Sequence, residues 1–380
     1  CPPFSFRQQQ PQLAQHACRS ARDPTPLLGL RAADGQPAFA RTFFGPLPDP
    51  GITFRRRKAK SPPDRQILHG LQATRSHQSP ACGTVRPWLA RLDRHSQPMK
   101  LPWSTVAIVG VGLIGGSIGR ALLARRLCQR VIGIGRSEAS LAEAKQRELI
   151  SDASCDLDAV SEADLVVIAT PVGSIPSLLE EVDARVAEGT LITDAGSTKQ
   201  SIVSGWQRKR ARRRGRFVGS HPLAGSHLRG PTAADGELLD SRVVVVTPAT
   251  TTPDDDVEQI GTFWASLGST VFVMPPRDHD RILATTSHAP HMLAASLAAV
   301  TPDDFRRFTA GGWRDTTRVA GGDAELWADI LLDNATQVTR AVERINGFTQ
   351  RMLDALAAGD RRRLVKLLTT AKDKRNALGS

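Results

Sequence analysis

The 380-residue chain contains no window of 18 apolar residues free of charge, and no apolar leader ahead of a small-residue cleavage site. It is therefore expected to carry neither a membrane span nor a secretory signal. Cysteine is sparse: Cys1, Cys18 and Cys82 fall in the first 98 residues, and only Cys128 and Cys155 lie beyond them. Without ligand spacing these make neither a zinc site nor a disulfide framework, so no metal is expected and a reducing, cytoplasmic setting fits. Methionine is as rare, and the first of four is Met99.

What residues 1–98 lack is periodicity. Stretches such as FRQQQPQLAQ and FRRRKAKSPPD are rich in Pro, Gln and Arg, with no sustained apolar repeat. Such composition cannot bury enough apolar surface to offset the entropy of ordering it. The segment holds 15 Lys and Arg against 5 Asp and Glu, which accounts for most of the formal +12 of the whole chain. Residues 1–98 are expected to be a disordered basic tail, either a targeting or interaction segment or sequence upstream of a start at Met99. A genuine domain is the third reading.

Residues 99–275 are different. TVAIVG (105–110), VIGIG (131–135), DLVVIATP (164–171), TLITDAG (190–196), RFVGSHP (216–222), SRVVVVTP (241–248) and STVFVMP (269–275) are short apolar runs, mostly separated by helix-length amphipathic segments. This alternation predicts a mostly parallel sheet covered on both faces, a Rossmann-type α/β domain. Residues 276–380 lose the strand signal and keep helical spacing, with a long apolar stripe from Leu331 and Val338 through Ile345 to Leu353 and Leu356. An all-helical substrate and dimerisation domain, paired with its copy in a homodimer, would cover such a stripe.

VAIVGVGLIGG sets Gly110, Gly112 and Gly115 in GxGxxG spacing between a strand and a helix. The first glycine permits a tight turn, the second admits a pyrophosphate to the backbone, and the third lets the helix pack on the sheet. Leu113 and Ile114 then open a helix whose free N–H groups suit phosphate. The next strand ends VIGIGRSEAS, with Arg136 and Ser137 where an acid would hold the ribose of NAD. Arg136 can pair with a 2′-phosphate and Ser137 can hydrogen-bond it, so NADP is favoured. Glu138 keeps NAD open, as does an Arg136 that merely faces solvent.

Ligands of open parallel sheets bind beyond the carboxyl ends of the strands. Thr170 and Pro171 end one strand, Asp194 ends another ahead of Ser197 and Lys199, and His221 ends a third. Thr170, Pro171 and Asp194 are expected beside the cofactor, with Asp194 either orienting a neighbour or capping the next turn. Ser197 is either a donor near the nicotinamide or a helix cap, and Lys199 reads most simply as solvated. His221, within GSHPLAGSH, carries an imidazole suited to proton transfer and is the candidate acid/base.

In the helical half, TSHAPH sets His288 and His291 three residues apart, a spacing that puts both rings on one helical face. They are read as substrate or cofactor contacts or as capping residues; adding His279 and Asp280 gives no diagnostic metal set. GGWRDTTRVAGGD carries Arg314, Asp315 and Arg318, and an arginine reaching the sheet rim suits a substrate carboxylate. RKRARRRGR (208–216) is dense enough to attract phosphate, but with no recognition element beside it the run reads as solvated surface.

Taken in order, GVGLIGGSIG, ATPV, TDAGSTK, GSHPLAGS, TSHAPH and GGWRDTTRVAGGDAELWADI resemble the prephenate/arogenate dehydrogenase family of tyrosine biosynthesis. The resemblance implies a Rossmann domain, a helical dimerisation domain and oxidative decarboxylation with a nicotinamide cofactor. It gives His221 the C4 hydroxyl and its proton, Ser197 a supporting contact, Arg318 a substrate carboxylate, and His288 and His291 places in the substrate pocket. Relatives tend to continue HPxAGSEKSG where this chain reads HPLAGSHLRG, so His227 and Arg229 mark substrate selectivity. The missing acid disfavours an ammonium group and Arg229 favours a second carboxylate, so prephenate is expected, with arogenate as the alternative. Two further readings stay open. One is an NADP-dependent dehydrogenase of the β-hydroxyacid or imine-reductase kind, whose helical-domain lysine is not framed here; the other is a non-enzymatic nucleic-acid binder.

Overall fold

Nine strands form one sheet in a computed structural model that describes residues 86–87, 102–208, 212–225 and 230–378. These residues all belong to one compact unit, 76–380. The strands are β1 (Arg86–Pro87), β2 (Thr105–Val109), β3 (Arg130–Ile134), β4 (Asp152–Ser154), β5 (Leu165–Ile168), β6 (Leu191–Asp194), β7 (Arg216–Pro222), β8 (Val243–Thr247) and β9 (Thr270–Val273). Their spatial order is β1-β9-β8-β7-β6-β5-β2-β3-β4. From β4 to β7 the sheet is parallel; β8 then runs against β7, β9 runs parallel to β8, and β1 closes the edge antiparallel to β9. Two residues ahead of Met99 thus belong to the sheet, at an edge where a proline's missing N–H costs little.

The reversal between β7 and β8 has a local cause. A parallel return needs a crossover of a dozen or more residues, usually a helix. Between Pro222 and Val243 the only described helical turn is the three-residue Pro231–Ala233, so the chain comes back beside β7 rather than crossing the sheet.

Helices cover both faces. Val106 and Ile108 of β2 pack with Leu165, Val167 and residues of α1 (Leu113–Ala124), α2 (Glu138–Gln146) and α5 (Asp254–Ser266), the last contributing Phe263 and Trp264. Ala107 and Val109 face the other way, against Ile175, Leu179 and Val182 of α3 (Ile175–Asp183) and Ile202 and Val203 of α4 (Gln200–Arg208). Alternate residues of one strand enter opposite cores, which is why the strands read as unbroken apolar runs.

After β9 the described chain is helical: α6 (Pro276–Leu283), a π-turn over Ala284–His288, α7 (Ala289–Val300), α8 (Gly311–Thr317), α9 (Ala324–Asp333), α10 (Ala335–Ala357) and α11 (Arg361–Asn376). In the π-turn the N–H of Ala289 donates to the Ala284 carbonyl. Pro290 has no N–H with which to continue the α ladder, and widening the turn accommodates it. The long stripe divides on packing. Val338 and Ala341 bury against Ala284 and Ala289, with Leu331, Val342 and Ile345 packed alongside, while Leu332, Leu353, Leu356, Val365 and Leu368 are exposed.

Candidate active site

The switch point of the parallel strands lies at β2, with β3 on one side and β5 on the other, where an open α/β sheet leaves a crevice. The glycine turn occupies it. Gly110 has φ +98°, and a Cβ there would stand 2.8 Å from the Ala169 carbonyl oxygen and from Thr170 Cγ2. A Cβ at Gly115 would come within 2.1 Å of the Gly110 carbonyl oxygen, whereas one at Gly112 would meet nothing within 4 Å. The turn is closed behind and open in front, which is the shape a pyrophosphate needs to reach the first N–H groups of α1 beside Leu113 and Ile114. The residues present thus fit a dinucleotide.

Around this cradle Thr170 is half-buried, its Oγ1 accepting from Ser174 Oγ at 2.9 Å, and Pro171 is exposed beside it. Arg136 is exposed at the end of β3. Ser137 caps α2, its Oγ accepting from the Ser140 N–H at 3.3 Å, a bond that leaves its own O–H free to donate.

Asp194 orients its neighbours, one of the two roles expected of it. Its side chain is fully buried and supports the rim from beneath. One oxygen accepts from the Ser220 N–H at 3.0 Å, and the other accepts from the Gly196 N–H at 2.9 Å and is paired with Lys199. Lys199, expected in solvent, is likewise fully buried. Burial pushes its ammonium pKa down while Asp194 opposes that shift; the pair is sealed under the loop that carries Ser197.

That loop is also clamped from the helical side. Asp280 accepts from the N–H groups of Lys199 and Gln200, both at 2.9 Å, and so caps α4. Asp333 accepts from Thr198 Oγ1 at 2.5 Å and Ser201 Oγ at 2.7 Å. Since Asp280 supplies the cap, Ser197 does not; it is half-buried, and no described residue hydrogen-bonds its hydroxyl.

His221 lies at the carboxyl end of β7, beyond the last residue of β6. Its Nδ1 is 2.8 Å from Nε2 of His279, whose Nδ1 is 2.7 Å from Asp280 Oδ1. An ionised carboxylate only accepts, so His279 donates from Nδ1. Burial holds His279 below its usual pKa and so neutral, which makes its Nε2 the acceptor for Nδ1–H of His221. Burial above all, with the Lys199 ammonium nearby, pushes His221 well below its ordinary value. Its Nε2 is then a lone pair with no partner among the described residues, on a residue that keeps 9% of its exposure. The chain contains no tyrosine, so no phenol competes for the acid/base role.

His288 and His291 share a face, as their spacing predicts. His291 stacks on Trp327 with centroids 3.6 Å apart, and His288 meets the same indole edge-on at 6.2 Å. His291 Nδ1 is buried without a partner. Arg318 is exposed on the turn Arg318–Gly321, which packs against α7, and no described contact joins it to the histidines. His227 and Arg229 lie outside the described residues.

Sequence reasoning missed the joint role of His279 and Asp280, weighed only as metal ligands, and passed over Asn334 and Trp327. Consecutive polar residues opening a helix in DHD were the available signal. Among the described residues no three His, Cys, Asp or Glu gather as a metal set, and no helix is long and apolar enough to cross a membrane. The basic run is not merely solvated. Arg213 pairs with Glu180 and Asp183 and covers Trp206 at 3.9 Å, Arg212 pairs with Glu188, and Arg216 pairs with Asp256. Three of the run's seven cations are thus engaged within the domain.

Comparison with known proteins agrees with this geometry. Residues 118–273 match the family model "Prephenate dehydrogenase, nucleotide-binding domain", and residues 275–370 match "Prephenate dehydrogenase, dimerization domain". The chain is 35% identical over 289 residues to the prephenate dehydrogenase of Bacillus subtilis, covering 72% of this chain and 76% of that protein. It is 32% identical over 283 residues to the cyclohexadienyl dehydrogenase of Zymomonas mobilis, covering 72% and 95%. The crystal structure of A. aeolicus prephenate dehydrogenase, in complex with hydroxyphenyl propionate and NAD+, superimposes with TM-score 0.67 at 26% identity, covering 75% of this chain and all of that one. With its glycine cradle, buried histidine relay and helical half, the chain belongs to the prephenate/arogenate dehydrogenase family of NAD(P)-dependent enzymes.

Proposed function

We propose that this protein oxidatively decarboxylates prephenate to 4-hydroxyphenylpyruvate with NADP as acceptor. The observation that carries the reading is the chain Asp280–His279–His221, which leaves His221 Nε2 as a neutral lone pair at the sheet rim. That nitrogen takes the proton of the C4 hydroxyl as the carbon becomes carbonyl-like. A nicotinamide held by the glycine turn would supply the acceptor for the hydride that leaves C4. The ring carboxylate then leaves as CO2, its electron pair completes the aromatic ring, and the oxygen regains the proton from His221 as a phenol. Ser197, with its hydroxyl unclaimed, supports the same oxygen.

Arg318 holds the side-chain carboxylate rather than the one that departs, because a tight clamp on the departing group would favour the ground state. His288 and His291, ranged along Trp327, line the substrate pocket, and His227 and Arg229 bear on selectivity. Exposed Arg136 and the absence of an acid at the end of β3 support NADP. Gly110, Gly112, Gly115, Leu113 and Ile114 would hold the pyrophosphate, with Thr170 and Pro171 beside it. The exposed apolar residues of α10 and α11 support a homodimer through the helices.

Arogenate is the second reading, because a solved relative of 26% identity is an arogenate dehydrogenase of Synechocystis. Steady-state kinetics of the purified chain on prephenate and arogenate, each with NADP and NAD, tests the whole assignment. NADPH formation with CO2 release from prephenate is the expected result; no turnover of either substrate would overturn it.

A further inference from the structure

His221 is only half of the polarity in this site. Asn334, buried between α9 and α10 with 4% of its surface exposed, donates through Nδ2 to the main-chain carbonyl of Asp280 at 2.8 Å, and the same nitrogen lies 3.1 Å from Nδ1 of His288. A carbonyl oxygen can only accept, so the amide nitrogen of Asn334, and not its oxygen, must face Asp280. That fixes the amide orientation. The second hydrogen of the same NH2 group then points at His288 Nδ1, which has to be the lone-pair nitrogen. A neutral imidazole with its lone pair on Nδ1 carries its proton on Nε2.

We propose that Asn334 is a positioning residue that locks His288 as an Nε2–H donor, opposite in sense to His221, so that the site presents one histidine that accepts and one that donates. Asp280 is the common anchor. Its carboxylate orders His279 and through it His221, and its main-chain oxygen orders Asn334 and through it His288. Burial keeps His288 neutral, its pKa pushed down to about 4, so the donor comes from the tautomer and not from a positive charge. His288 is buried, and no described residue hydrogen-bonds its Nε2. Its complement is an acceptor oxygen of the substrate, a carboxylate or carbonyl; this identity of the acceptor rests on the reading given under Proposed function, whereas the tautomer does not.

The test is long-range proton–nitrogen NMR on the full chain with 15N-labelled histidine, His288 being assigned by its loss in His288→Gln. The wild-type chain is expected to show the proton of His288 on Nε2. In Asn334→Asp, an acceptor-only side chain against Nδ1 should move a proton onto Nδ1, as the other tautomer or as imidazolium. KM for the substrate should rise about tenfold or more in Asn334→Asp and Asn334→Leu, the effect of losing a hydrogen bond to a charged or strongly polar group, with KM for the cofactor unchanged. A wild-type proton on Nδ1, or a His288 tautomer unmoved in Asn334→Asp, overturns the proposal. The wild-type spectrum decides it even if a variant fails to fold. If the wild-type chain turns over neither prephenate nor arogenate, the substrate assignment falls while the spectrum still decides the tautomer.

Discussion

The imidazole of His221 is tied to that of His279, Nδ1 to Nε2, across 2.8 Å, and the two rings meet nearly edge to face at 66°. One ring ends a strand and the other lies in the first helix after the sheet. The reactive nitrogen is therefore oriented by a residue from the other half of the fold, and that residue by the carboxylate that also caps α4.

Replacement of His221 by Asn should lower kcat by about 10²–10⁴-fold, the usual span for a positioned general base. His279→Asn should lower kcat by less, because His221 remains but loses the partner that fixes its tautomer. Stopped-flow hydride transfer measures both. Equal losses in the cofactor's dissociation constant would show that the residues shape the cofactor site instead.

The acid limb of log kcat/KM against pH should have its midpoint below 6.5, the ordinary histidine value, because the neutral form of His221 is the working base and its pKa is lowered. Stability should follow the same sign. His221, His279, His288 and His291 all have lowered pKa values when folded. The unfolded chain therefore binds more protons between 6.5 and the folded values, so stability is present above that window and lost as pH falls through it. Tm at pH 7 should exceed Tm at pH 5; the reverse order would contradict the burial of neutral histidines.

Lys199→Met should destabilise the fold by about 3–5 kcal/mol, since it leaves Asp194 charged and buried without its counterion. Lys199→Met combined with Asp194→Asn should regain part of that loss, and urea unfolding of the single and double variants measures it. A Lys199→Met chain as stable as wild type would mean that Lys199 reaches solvent.

The two later glycines of the turn should separate cleanly. Gly115→Ala drives a methyl into the Gly110 carbonyl and should lower Tm, whereas Gly112→Ala meets open space and should leave Tm alone while raising KM for the cofactor. Calorimetry beside cofactor titration distinguishes them.

Arg136→Glu should move cofactor preference from NADP toward NAD, by removing the cation for a 2′-phosphate and supplying an acceptor for a ribose hydroxyl. The ratio of kcat/KM values for the two cofactors is the readout, and an unchanged ratio would leave Arg136 a solvent-facing residue.

Much of this architecture was legible. The seven apolar runs are strands and the glycine spacing sits at the switch point, because buried parallel strands and pyrophosphate turns leave strong local patterns. The reversal at β8 was not legible: VVVVT has the same composition whichever way it runs. Lys199 was misread for a related reason, since a lysine opening a helix looks solvated until a carboxylate five residues back folds beneath it. His279, Asp280 and Asn334 gained their roles only by meeting residues 46 to 81 positions away, and no window of sequence contains such a meeting.

The antiparallel turn-back of β8 has a consequence for how this enzyme can diversify. The Leu223 N–H donates to the Val243 carbonyl at 2.8 Å, which closes the connection from β7 to β8 at its base. Along it Asp235 accepts no new strand partner but takes the Ser117 hydroxyl of α1 through its N–H at 2.9 Å. Ala234 and Leu239 of this connection are buried in the core, so it can vary at its exposed positions without disturbing the sheet. His227 and Arg229, proposed above to bear on selectivity, lie in sequence between β7 and β8, so exchanging them would alter neither the histidine relay nor the cofactor cradle.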